Sequence, residues 1–151
     1  MKFTVGWLKD YLEFDYSVTE LCNKLTDIGL EVEKILDPSK SLKDFKIAKI
    51  LKKNSHPNAD KLSLCEVFDG NKNLQIVCGA NNAREGLITI YATPGAIIPK
   101  TKIKLVEAKI RGVTSKGMLC SGSELNLSDE SDGIIELSKS KYEKSIGKSY
   151  F

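Results

Sequence analysis

The hydrophobic and polar positions divide the chain into a helical opening and a longer region of short strands. Gly6-Trp7-Leu8-Lys9-Asp10-Tyr11-Leu12 predicts a short helical turn. Ser17-Val18-Thr19-Glu20 has the form of a capping box, in which the Ser17 hydroxyl accepts from the Glu20 amide and the Glu20 carboxylate reaches back. Leu21, Cys22, Leu25 and Ile28 then share one helical face, and Gly29 is placed to end the helix. Leu30-Glu31-Val32-Glu33-Lys34-Ile35 alternates at period two and predicts a strand. One helix and one strand cannot bury a core alone. Residues 1–38 are therefore expected to form an α+β segment that either packs on the middle region or is part of an incomplete domain.

Asp37-Pro38-Ser39-Lys40-Ser41 is polar and turn-rich, and reads as a linker. Beyond it the pattern changes. Phe45 to Leu51 and Leu62 to Phe68 alternate, Asp69-Gly70-Asn71 has hairpin-turn chemistry, and Leu74 to Cys78 supplies the partner strand. Further strands are predicted at Leu87 to Ala92, at Lys102 to Leu105 continuing towards Arg111, at Lys116 to Ser121 and at Gly133 to Leu137. Short strands with little helix between them predict a mainly β fold, a small closed barrel over residues 42–151. No apolar run approaches the roughly 18–20 residues that a bilayer crossing needs, and the start has no long apolar segment of the signal-peptide kind. A cytoplasmic location is expected, with no membrane partner.

Charge adds a segregation that the net value of +3 conceals. Between Leu42 and Cys120 there are 14 basic and 6 acidic residues, a formal +8, while the flanks carry −3 before and −2 after. A basic middle between acidic ends suits a polyanion-facing surface. A solvated lysine-rich surface would give the same count, and charge alone does not decide between them.

The four cysteines, Cys22, Cys65, Cys78 and Cys120, lie in apolar contexts without Cys-x-x-Cys spacing. They read as small buried hydrophobes rather than zinc ligands or a disulfide framework. The single histidine sits in Ser55-His56-Pro57-Asn58-Ala59-Asp60-Lys61-Leu62. Pro57 restricts His56 to extended geometry, and Asn58 and Asp60 can each close an Asx turn. This predicts a rigid loop between two strands, with His56 structural or facing a ligand, since no second histidine exists to share a metal. Asp129, Glu130 and Asp132 lack calcium-loop spacing and read as a solvated acidic turn. There is no Gly-x-Ser-x-Gly elbow, phosphate loop or His-Glu-x-x-His pair, so no catalytic site and no metal site are expected in this chain.

The blocks His56-Pro57-Asn58-Ala59-Asp60-Lys61-Leu62, Gln75-Ile76-Val77-Cys78-Gly79-Ala80-Asn81-Asn82 and Ala108-Lys109-Ile110-Arg111-Gly112-Val113-Thr114-Ser115-Lys116-Gly117-Met118-Leu119-Cys120-Ser121 occur in this order. Ser123-Glu124-Leu125-Asn126-Leu127 and Asp132 to Leu137 follow. Together they resemble the tRNA-binding domain shared by the bacterial phenylalanyl-tRNA synthetase β subunit, the methionyl-tRNA synthetase appendage and the EMAP II-like cytokine precursors. The opening, Lys2 to Lys9 and Leu25 to Glu33, is similar to that of the synthetase β subunit in particular.

The resemblance implies an OB-fold barrel and an auxiliary tRNA-binding role in an enzyme that joins phenylalanine to its tRNA with ATP and magnesium. It implies partners as well: phenylalanine-specific tRNA, a synthetase α subunit holding the aminoacylation site, and the rest of the β subunit, which carries editing. It also implies that the first domain is discontinuous, its other half following the barrel. The helical opening is then expected to leave apolar surface uncovered.

Contact with RNA is expected mainly through phosphates. The candidates are Lys46, Lys49, Lys52 and Lys53 on the first strand, Lys61 and Arg84, then Lys100, Lys102 and Lys104, and finally Lys109, Arg111 and Lys116. Lys100, Lys102 and Lys104 would share a face if they lay on a strand. Aromatic platforms for bases are scarce, the barrel region offering Phe45, Phe68 and Tyr91. That scarcity favours recognition by shape and charge. The competing expectation is a structural module of the synthetase with little RNA contact.

Overall fold

The computed structural model describes residues 1–37, 39 and 42–150. Much of the expected linker, residues 38, 40 and 41, lies outside the described residues. The chain divides into two compact units, Met1–Leu36 and Asp37–Phe151.

The first unit is helical. Helix α1 (Val5–Lys9) starts at Thr4, whose Oγ1 accepts from the Trp7 amide at 3.0 Å. Helix α2 (Val18–Asp27) starts at the complete capping box: the Glu20 amide donates to Ser17 Oγ at 3.3 Å and the Ser17 amide to Glu20 Oε2 at 2.8 Å. The Ser17 hydroxyl, donating to Glu20 Oε2 at 2.7 Å, and then the Ser17 amide hold the Glu20 carboxyl below its usual range. Gly29, at φ +90°, ends the helix. The Gly29 amide returns to Thr26 O and the Leu30 amide to Leu25 O, the paired bonds of a Schellman stop. The strand expected at Leu30 to Ile35 is absent. Alternation fits a strand only where a neighbour accepts its ladder, and among the described residues this unit has no other strand. Of its side chains Leu21 alone counts as a buried hydrophobe, while Trp7, Tyr11, Leu12, Ile28 and Leu36 are more than half exposed.

In the second unit five antiparallel strands form a sheet in the order β3-β2-β1-β4-β7. They are β1 (Phe45–His56), β2 (Ala59–Phe68), β3 (Asn73–Cys78), β4 (Ile88–Ala92) and β7 (Met118–Leu119). A separate hairpin pairs β5 (Ala108–Ile110) with β6 (Val113–Ser115). Strand β1 serves two neighbours: Phe45 to Lys49 pair with β4, and Lys49 to His56 with β2. The register slips between Ile50 and Lys52, a bulge that bends the strand and lets the sheet coil. The two edges then meet. The Lys116 amide donates to Gln75 O at 3.0 Å, Gln75 Nε2 to Thr114 O at 3.0 Å and the Val77 amide to Ser115 Oγ at 3.1 Å. The result is an OB-like barrel, mainly β.

The β2–β3 hairpin turns where expected. Asp69 Oδ1 accepts from the Asn71 and Lys72 amides, and Gly70 supplies φ +92°. All five residues of β4 are buried, because both faces are covered. Tyr91 faces a cluster with Ile50, Cys65, Val67 and Ile76, whereas Ile90 and Ala92 face a second cluster with Phe45, Ile98 and Cys120. Each fully buried Ile or Val there contributes about 1.5–3 kcal/mol. Helix α3 (Lys139–Tyr142) and a single 3₁₀ turn (Glu143–Ser145) follow the barrel.

Three expected strands shrink, Lys116 to Ser121 keeping only the two residues of β7. Lys102 to Leu105 forms only an isolated bridge, Lys104 with Ile97, because Lys102 sits in a turn at φ +60° and its amide returns to Ile98 O. Lys100, Lys102 and Lys104 therefore cap a small hairpin and do not line one strand face. Gly133 to Leu137 likewise contributes a single bridge, Leu137 with Ile88.

Candidate nucleic-acid interface

The His56-Pro57-Asn58 segment is not a free loop but the tight tip of the β1–β2 hairpin, and it is fastened to the tip of the β5–β6 hairpin. His56 is buried. Its Nδ1 accepts from the Asn58 amide at 3.1 Å, which leaves the proton on Nε2 to be donated to Ile110 O at 3.0 Å. Asn58 closes no Asx turn of its own. Its Nδ2 donates instead to Arg111 O at 3.0 Å. Two consecutive carbonyls of one turn are thus capped by two residues of the other. Arg111 and Gly112, at φ +50° and +90°, form the two-residue turn that a twisted hairpin favours.

Between Ser55↔Ser63 and His56↔Ala59 the register slips, so that Asp60, Lys61 and Leu62 have no ladder partner. The slip bulges the exposed Lys61 and Asp60 outward beside the tip. Arg111 and Lys109 are exposed on the facing hairpin, and Lys52 and Lys53 lie a few residues back along β1. This end of the barrel therefore gathers five of the candidate cations.

The others are dispersed. Lys46 and Lys49, half-buried, lie towards the closing segment: Lys46 bridges Ser149 and Lys49 Nζ meets Glu143 Oε1 at 3.1 Å. Lys46 also lies in the field of Asp69. Burial raises that carboxyl, but the amides of Lys72 and Asn71, helped by Lys46, bring it below its usual range. Arg84 is engaged by Glu136 through two hydrogen bonds. Lys116 is exposed where the barrel closes on Gln75. Among the described residues, Lys49 and Arg84 are the only ones of the twelve candidates with an ion-pair partner.

Aromatic side chains offer no platform here. Phe45 and Tyr91 are in the core, where burial pushes the Tyr91 phenol up to about 12 and its hydroxyl donates to Lys116 O. Phe68 is half-buried on the outward face of β2, with Leu62, Leu64 and Glu66, since Cys65 and Val67 take the inward positions. Behind the locked tips lies a cleft of about 470 Å³ whose walls include Leu62, Cys78, Ile110, Ser115, Met118 and Glu124. No aromatic residue lines it, so it has nothing on which to stack a base. Cys65, Cys78 and Cys120 are buried, and burial pushes the Cys120 thiol up. The described residues contain no group of three or more His, Cys, Asp and Glu side chains placed to hold a metal ion, and no helix among them is long and apolar enough to cross a membrane.

A family model described as "Putative tRNA binding domain" matches residues 45–143, the barrel and its locked tips included. Over 139 residues the chain is 52% identical to the phenylalanine–tRNA ligase beta subunit of Bradyrhizobium diazoefficiens, covering 91% of this chain. Against the protein of the same name from Rickettsia prowazekii it is 55% identical over 139 residues, with 92% covered. The chain spans only 17% of the length of each of these relatives. Among solved structures, a MetRS related protein from Pyrococcus horikoshii superposes with a TM-score of 0.53 at 23% identity. That match covers 78% of this chain and 99% of the other, and speaks to the fold alone.

Proposed function

Because this chain belongs to the tRNA-binding domain family, we propose that it binds tRNA as an auxiliary module of a phenylalanine–tRNA ligase β subunit, gripping phosphates with cationic side chains on a rigid barrel. The observation that carries this is the pairing state of those cations. Ten of the twelve candidates have no carboxylate within ion-pair distance among the described residues, while the aromatics that could read bases are buried or half-buried. An unpaired exposed Lys or Arg retains its full charge for phosphate and releases a counterion on contact. The bias in side-chain supply favours recognition of a folded RNA by backbone and shape.

In this proposal the chain takes no part in bond chemistry. Joining phenylalanine to phenylalanine-specific tRNA, with ATP and magnesium, belongs to the full-length enzyme, acting in the cytoplasm with an α subunit and the rest of the β subunit. A second role, packing against other protein, is favoured by the exposed Ile97, Ile103 and Val106 beside Lys100, Lys102 and Lys104.

Titration of the chain with fluorescent tRNA separates the two. Binding in the micromolar range or weaker, lost as salt is raised from about 50 to 200 mM, supports phosphate contact. Absent or salt-independent binding supports the packing role instead.

A further inference from the structure

The lock between the two hairpin tips is built from groups that phosphate binding does not itself require. His56 spends both ring nitrogens on it, one to the Asn58 amide and one to Ile110 O. Asn58 spends its side-chain amide on Arg111 O. Arg111 meanwhile holds φ +50°, a left-handed conformation that disfavours a residue with a Cβ. Such conformations persist where neighbours over-determine them, and here the Asn58 amide grips the carbonyl of the residue concerned. Gly112, at φ +90°, supplies the second left-handed position of the turn, which a glycine adopts without penalty.

Only three residues separate the bonds at Ile110 and Arg111 from the strand end at Ser115, so a short two-stranded ribbon is held at both ends. One end is the tip lock, and the other is Ser115 Oγ, which accepts from the Val77 amide at 3.1 Å and donates to Gly117 O at 2.9 Å. Cut loose at its tip, the ribbon would keep its three residue pairs, the bond from Gln75 Nε2 to Thr114 O and the contact at Ser115.

We infer that His56 and Asn58 are a positioning pair for RNA: they fix the Arg111 backbone against the β1–β2 tip, so that its exposed guanidinium, with Lys61 beside it, meets a phosphate already in place. This rests on the tRNA-binding role proposed above. Neither residue touches the RNA; each acts through Arg111. The gain is in ordering, because a side chain on a fixed backbone loses less freedom on binding than one on a loose ribbon.

The test is a double-mutant cycle on the whole chain, with tRNA affinity as the readout and salt dependence as the second. Asn58 is exposed, so Asn58→Ala removes the lock bond without opening the core, and the thermal melt verifies folding. Asn58→Ala is expected to weaken binding about three- to tenfold while keeping the wild-type slope of log K against log salt. Arg111→Ala is expected to weaken it and lower that slope by just under one. In the Arg111→Ala background Asn58→Ala should have no further effect. Equal losses in both backgrounds, or wild-type affinity for folded Asn58→Ala beside a weakened Arg111→Ala, would overturn the positioning role. If Arg111→Ala binds like wild type, the positioning role also falls, while salt-dependent binding by the wild-type chain keeps the tRNA proposal standing. If the wild-type chain does not bind tRNA, the proposal beneath it falls first.

Discussion

Arg84 and Glu136 face each other through two parallel hydrogen bonds, Nη1 to Oε1 at 2.7 Å and Nη2 to Oε2 at 2.6 Å. They are 52 residues apart in sequence, and the pair ties the turn before β4 to the segment after the acidic loop. Asn82 runs alongside: its Nδ2 donates to Ile134 O and to Glu136 Oε1, and its Oδ1 accepts from the Ile134 amide. Gly133 completes the junction, because a Cβ there would lie 2.6 Å from Asn82 Oδ1. Arg84 thus belongs to a structural junction, which leaves less of its guanidinium for a phosphate than the unpaired cations offer.

The pair predicts an acid limb of stability. The Arg84 guanidinium, followed by Asn82, holds the Glu136 carboxyl down at about 2, against roughly 4.3 in an unfolded chain. A depressed carboxyl stabilises the fold fully above the unfolded value and loses that contribution as pH falls from about 4.5 towards 2. Thermal melts of wild type and Glu136→Gln from pH 7 to pH 2 should show wild type more stable at neutral pH and the gap closing through that window. The gap should be small, since both side chains are well exposed. A constant gap at every pH would contradict the assignment.

Two glycines with similar backbones should respond differently to alanine. Gly117 and Gly86 both hold positive φ, +116° and +80°. A Cβ on Gly117 would come within 2.5 Å of Ala92 O and of the buried Tyr91 ring, whereas one on Gly86 meets nothing within 4 Å. Gly86→Ala should cost about 1–2 kcal/mol, from backbone conformation alone. Gly117→Ala should cost about 3 kcal/mol or more, because strand backbone and a core ring cannot both yield. Urea unfolding midpoints of the two variants measure the difference, and equal midpoints would refute it.

Thr89 carries the opposite opportunity. Its Oγ1 is buried in β4 without a hydrogen-bond partner, and an unsatisfied buried hydroxyl costs about 1–3 kcal/mol. Thr89→Val keeps the shape and removes the liability. A rise in the melting temperature of a few degrees is expected, and a fall would mean that the hydroxyl is satisfied in solution.

Local chemistry was legible along the chain and long-range partnership was not. The Ser17 capping box, the Gly29 stop and the Asp69-Gly70 turn each depend on residues within five positions of one another, and each stands in the structure as the pattern predicts. Strands β2 and β3 could be read because one face of each is buried. The outer half of β1, Lys52 to His56, shows no apolar alternation and is a strand only because β2 supplies its ladder. Leu30 to Ile35 fails for the converse reason, alternating without a partner. The positive φ of Lys102, which takes three lysines off a strand, leaves no mark in a Lys-Ile-Lys alternation.

The same limit applied to the candidate interface. Counting lysines located a basic region but could not tell which cations are spent on carboxylates. Lys49 with Glu143 and Arg84 with Glu136 join positions 94 and 52 residues apart. The lock of His56 on Ile110 spans 54 residues. The unique histidine beside a proline and an asparagine was the available signal, and it pointed to rigidity without naming the partner.

The most direct measurement is the salt dependence of tRNA affinity for the wild-type chain beside a folded variant with Lys52, Lys53, Lys61 and Lys109 changed to glutamine. Phosphate contact predicts a steep wild-type slope, with about 0.9 lost for each cation that touches duplex backbone, together with weaker binding at every salt concentration. A variant that binds tRNA with unchanged affinity and slope would contradict it.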